Sequence, residues 1–169
     1  PSDFVDLDSI SRALGRASLS AFATPKAMAR IRRRGTTLPA PPAGDFAAVH
    51  VRRGDVHKRD RKRFTPDSKI LGVVDALRGR GMAVHVYSEG AVEDFDEYAK
   101  RGATVHLGGS VLEAWSAFLA ARCLVVARSS FSYVPAALRE GGVVFEPFWH
   151  LPAAEAWVRY GEVLGNGSV

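Results

Sequence analysis

A chain of 169 residues is long enough for one domain of ordinary size, with at most a short arm besides. Its 47% hydrophobic and 24% charged residues exclude wholesale disorder, its 9 Pro and 16 Gly are too few for a fibrous protein, and its single cysteine, Cys123, excludes an intrachain disulfide framework. Basic residues exceed acidic ones by 23 − 18 = +5, which favours anionic partners without choosing among a phosphate-bearing substrate, nucleic acid and an anionic membrane.

The opening residue is Pro1, with neither Met nor a signal peptide, so the chain reads as processed, truncated or a fragment. Residues 1–44 read as a helical arm and a Pro-rich linker. Asp8-Ser9 can cap a short helix through Ala17, and Thr24-Pro25 is a good N-cap and N1 pair for a second through Arg34, stopped at Gly35. Residues 38–44, with three prolines, can neither continue a helix nor join a central strand and read as a stiff linker.

From Asp45 the pattern alternates. A strand is predicted over 46–51, a polar basic loop to Phe64, and a helix on Ile70, Leu71, Val74 and Leu77 that ends at residues 79–81. A second strand follows at 82–87, a helix from about 91 to 100, and a third strand at 104–107. Ser110 is placed to cap a helix through Arg122, followed by a strand at 123–127, a helix near 134–139 and a fifth strand at 142–145. Short strands separated by helices imply βαβ units, hence an α/β fold with a Rossmann-like parallel sheet of about five strands and helices on both faces. No uncharged apolar run reaches the roughly 18 residues of a membrane span; the best, 117–127, is broken by Arg122.

In such a sheet ligands bind outside the carboxyl ends of the strands, where the strand order reverses. With the common order 3-2-1-4-5, the segments to inspect are Arg52-Arg53-Gly54-Asp55 after strand one and Arg128-Ser129-Ser130-Phe131-Ser132 after strand four. Arginine forks match phosphate oxygens, Asp55 can hold one of them, and Gly54 lets the backbone turn sharply. Ser129-Ser130 precede a helix start, where backbone N–H groups and hydroxyls make an anion site.

Val49-His50-Val51-Arg52-Arg53-Gly54-Asp55 resembles the His-x-Arg-Arg-Gly/Thr-Asp motif of the α-1,2-, α-1,6- and protein-O-fucosyltransferase superfamily. Val86-Tyr87-Ser88-Glu89, residues 124–133 and residues 145–150 are similar to that family's later blocks, in the same order over residues 45–150. The resemblance implies that residues 45–169 form the GDP-fucose-binding lobe of a two-lobed GT-B glycosyltransferase, metal-independent and without a cofactor beyond the nucleotide-sugar donor. It implies that Arg52 and Arg53 hold the diphosphate as the catalytic pair, that His50 contacts the nucleoside side, and that Asp55 orients an arginine. Ser129, Ser130 and Phe131 would meet the phosphates, and Glu113 stands in for the aspartate with which the family reads guanine. The acceptor would be a glycan or protein hydroxyl. The compartment would be the Golgi or ER lumen for a eukaryotic transferase and the cytoplasm for a bacterial one. An acceptor-binding N-terminal lobe does not fit into residues 1–44, so it would lie on a longer chain or a protein partner, and the isolated chain is expected to be inactive.

Two other functions fit parts of the sequence: a non-catalytic fucosyltransferase-like subunit of a larger assembly, and a basic RNA-associated domain using residues 57–63. That loop lacks the interleaved aromatics of a base-stacking surface, which argues against nucleic acid. His85 and His106 fall inside strands and read as core or edge residues. No His/Cys/Asp/Glu spacing suits a metal, and no hydrolase elbow frames Ser88, Ser129 or Ser130.

Overall fold

The structure, a computed structural model, describes residues 38–56, 62–148 and 153–165. The two arm helices expected before residue 38, the centre of the basic loop at 57–61, and Trp149-His150 lie outside the described residues.

Six strands form one sheet in the order β3-β2-β1-β4-β5-β6, with every neighbouring pair parallel. They are β1 Phe46–His50, β2 Ala83–Ser88, β3 Thr104–Leu107, β4 Cys123–Val126, β5 Gly142–Phe145 and β6 Val158–Arg159. The expected order holds. The sixth strand extends it, and its two residues are too few to carry a readable alternation.

The helices are α1 Asp67–Gly79, α2 Asp96–Lys100, α3 Val111–Ala120, α4 Ser130–Leu138 and α5 Tyr160–Val163. On α1 the buried positions are Ile70, Val73, Val74 and Leu77, one stripe at helical spacing. They pack with Ala47, Val49, Val51, Val84, Val86 and Tyr98 on one face of the sheet. The opposite face is covered by Ala114, Ala117 and Phe118 of α3 and Tyr133 and Ala136 of α4, against Phe46, Ala48, Leu124 and Val126. All five residues of β1 are buried, as a central parallel strand requires.

Two helices differ from expectation. The helix expected over 91–100 is split into a 3-10 turn, Val92–Phe95, and α2, because Phe95 at the junction leaves helical geometry (φ −115°, ψ 7°). Helix α4 starts four residues before the expected position 134, because Ser129 caps it: the Phe131 N–H donates to Ser129 Oγ at 3.3 Å.

Candidate functional site

The carboxyl ends of β1, β2 and β3 open into a cleft of about 700 Å³, within the usual size of a small-ligand site. Its walls come from the ends of the three strands, the start of α3, Phe131 of α4 and residues Ala40, Pro41 and Pro42. Among the expected site residues, His50, Arg52, Arg53, Glu113 and Phe131 line it. Ser129 and Ser130 do not: Ser129 is buried as the cap of α4. The cleft therefore lies over β1–β3, with Phe131 reaching it from beyond the β1/β4 switch point, rather than centred between β1 and β4.

His50 ends β1 on the α3/α4 face. Its Nδ1 is 2.8 Å from Ser132 Oγ, and the Ser132 hydroxyl donates to the Ala127 carbonyl at 3.5 Å. This chain puts the ring proton on Nδ1 and leaves Nε2 as an acceptor. Burial, with a smaller push from the Arg52 charge, lowers the His50 pKa to about 3. The ring packs edge-on to Phe131 at 5.2 Å. Between pH 6.5 and about 3 the unfolded chain thus binds one proton more than the folded chain at this residue, so acid removes stability there. His85 and His106, also lowered by burial, act in the same direction. In urea unfolding, the wild type is expected to lose about 1.5 kcal/mol more than His50→Gln between pH 6.5 and 5.0. Equal losses would contradict the buried neutral imidazole.

The two arginines have different surroundings. One amino group of Arg52 donates to Asp55 Oδ1 at 2.5 Å, while its buried Nε has no partner among the described residues. Its side chain is 22% exposed, so part of the guanidinium remains available at the cleft. Arg53 is committed inward: Nη1 donates to the Arg52 carbonyl at 2.8 Å, and Nη2 to the Thr65 carbonyl at 3.1 Å and Asp67 Oδ1 at 2.6 Å. Its guanidinium carbon also lies 4.2 Å from the centre of the Phe64 ring. Asp67, the first residue of α1, accepts the Tyr98 hydroxyl as well, at 2.6 Å. Arg53 thus ties the β1 turn to α1 and α2. Asp55 pairs with Arg52, and Arg63 stands 3.9 Å from the same carboxylate. Gly54 between them has φ +70°, and a Cβ there would meet Glu89 Oε2 at 2.7 Å, so the turn requires glycine.

The start of α3 is closed by a capping box. Ser110 N–H donates to Glu113 Oε2 at 2.8 Å and Glu113 N–H donates to Ser110 Oγ at 3.2 Å. The bonds from Ser110 hold the exposed Glu113 carboxyl below the usual carboxylate range. Glu113 therefore sits where the guanine-reading residue was expected, but as a helix cap with one oxygen already engaged.

Several lining groups are ones to which the sequence pattern gave no site role. His106 stacks on Tyr87 (4.5 Å, 7°) and its Nε2 is 2.9 Å from His85 Nδ1. Both neighbours come from the parallel pairing that sets Tyr87 opposite His106, so the strand alternation held the signal. Glu89 and the strap at 40–42 also line the cleft. The strap is pinned to α3 by the Ser116 hydroxyl, which donates to the Pro39 carbonyl at 2.5 Å.

Beyond the cleft, Glu146 accepts from Arg128 at 3.2 Å and from Lys69 at 3.3 Å, joining the ends of β4 and β5 to α1. Among the described residues no group of three or more His, Cys, Asp or Glu side chains is placed to hold a metal, and no helix is long and apolar enough to cross a membrane. The strand order and the position of the cleft define a Rossmann-like parallel α/β fold with a cleft at the strand ends. No protein-family model matches the chain, and no curated protein matches it.

Proposed function

We propose that this chain is the donor-binding lobe of a fucosyltransferase-like glycosyltransferase, with a GDP-sugar in the cleft and its diphosphate on Arg52. The observation that carries the reading is the pairing of a partly exposed guanidinium at the β1 end with a cleft that also has aromatic lining from Tyr87 and Phe131. The resemblance of residues 45–150 to the fucosyltransferase blocks supports the same ligand.

Breaking the sugar–phosphate bond builds negative charge on the departing diphosphate. A preorganised Arg52, held by Asp55, stabilises that charge without reorganising during the reaction. His50, neutral and with Nε2 as an acceptor, suits a hydroxyl or N–H donor of the nucleoside. Phe131 offers a flat apolar surface at the same end of β1.

Transfer further requires an acceptor hydroxyl held in line with the sugar carbon and shielded from water, a positioning effect of several orders of magnitude in rate. The lining residues supply the donor wall, and the acceptor wall is assigned to another lobe or partner. In calorimetry the chain is expected to bind GDP and GDP-fucose weakly, in about the high-micromolar to millimolar range, and to transfer no fucose to galactosides, chitooligosaccharides or Ser/Thr-bearing domains. Turnover above background that is lost in Arg52→Ala would make the chain a minimal transferase instead. The commitment of Arg53 to internal bonds favours a second reading, a fucosyltransferase-like lobe that serves as a non-catalytic subunit. Absence of any GDP binding would select it.

A further inference from the structure

The cleft is chemically divided. Its β1 end carries the Arg52 guanidinium. Its other side, along α3, is lined by Ala40, Pro41, Pro42, Val111 and Ala114, with the Glu113 carboxylate among them. Carboxylates line both parts, Glu113 along α3 and Glu89 beside Gly54 at the β1 end, but the lining guanidiniums, Arg52 and Arg53, lie only at the β1 end, which is where a phosphate is drawn. A nucleobase has the opposite preference, since its flat face loses little water against proline rings and methyl groups.

The wall on this side is not part of the sheet scaffold. Residues 38–42 form neither helix nor strand, and Pro41 and Pro42 have no N–H with which to bond to the fold. The strap is tied at one end by the Ser116–Pro39 hydrogen bond. At the other it enters β1 through Gly44, at φ +78°, and the Arg122–Asp45 ion pair at 2.8 Å. Ser116 is itself buried beneath it. The prolines fix the backbone between these two anchors, so the wall is shaped before a ligand arrives and little ordering entropy is lost on binding.

We infer that the strap at residues 39–42, pinned by Ser116, is the base-binding wall of the nucleotide site, so that Ser116 is a positioning residue for the nucleoside half while Arg52 serves the diphosphate half. The inference rests on the donor-lobe reading above, and its test separates the two. Ligand-observed NMR titrations of the full chain would use GDP, guanosine and inorganic pyrophosphate. Ser116→Ala frees the strap and is expected to weaken GDP and guanosine about threefold to tenfold, with pyrophosphate unchanged. The double variant Pro41→Gly/Pro42→Gly changes one exposed and one half-buried proline outside the buried core and is expected to weaken the same two ligands about fivefold. Arg52→Ala is expected to weaken GDP and pyrophosphate while sparing guanosine.

GDP binding to the wild type that neither strap variant alters would overturn the inference and leave the donor-lobe reading standing. Equal loss of pyrophosphate in the strap variants would also overturn it, by showing a general collapse of the cleft. Failure of the wild type to bind GDP would overturn both.

Discussion

Replacing Arg53 by alanine is expected to destabilise the fold by about 2–4 kcal/mol. The side chain is only 12% exposed and supports three separate segments: the β1 turn through the Arg52 carbonyl, the Thr65 carbonyl, and the first turn of α1 through Asp67. Its loss takes the guanidinium from the Asp67 carboxylate, which keeps the Tyr98 hydroxyl, and removes the cation from the Phe64 ring. Arg53→Lys keeps the charge but cannot fork to Thr65 and Asp67 together, so an intermediate loss is expected. Urea unfolding of the three proteins measures this directly. An Arg53→Ala variant as stable as the wild type would show that these bonds are incidental.

The complementary result is expected at Arg52. Among the described residues its side chain is committed to one carboxylate, Asp55, which is 58% exposed, so Arg52→Ala should cost little stability, within the range of exposed ion pairs at about 0–1 kcal/mol. Its effect on ligand is the larger one: loss of a charge-assisted contact to the diphosphate, on the order of 1.5–3 kcal/mol, corresponds to about a tenfold to hundredfold weaker GDP complex. The two adjacent arginines, equivalent by motif, are thus expected to separate into one that holds the protein and one that holds the ligand. Calorimetry with GDP reads the difference, and equal affinities in Arg52→Ala and the wild type would remove Arg52 from the site.

This division was not visible in the sequence. The motif shows two arginines leaving a strand, and alternation alone sends them to opposite sides; which side holds a cavity depends on α1 meeting Arg53 through Asp67, a partner fourteen positions away. The fold was far more legible. Val49, Val51, Val84, Val86, Leu124 and Val125 sit in short apolar runs, two of them interrupted by a single histidine, and the periods of α1 and α3 switch cleanly from those of the strands. Ser110 was read as a cap and is one. What escaped were features with little local signal: the two-residue β6, the four-residue α5, and the Pro-rich segment read as a linker. That segment walls the cleft, held to α3 by a long-range bond from Ser116 to Pro39. Ser129 was read as an anion ligand from its position before a helix, and its hydroxyl faces the Phe131 N–H instead. Capping and anion binding use the same residues, and only burial separates them.

The most direct measurement of the central claim is a titration of the isotope-labelled chain with GDP, followed through its backbone amide shifts. The shifts are expected to concentrate at Ala40, residues 50–54, 87–89 and 105–114, and Phe131, around the cleft at the ends of β1–β3, and to fade in Arg52→Ala. Shifts confined to the basic loop at 57–63, or no shifts at millimolar GDP, would contradict it.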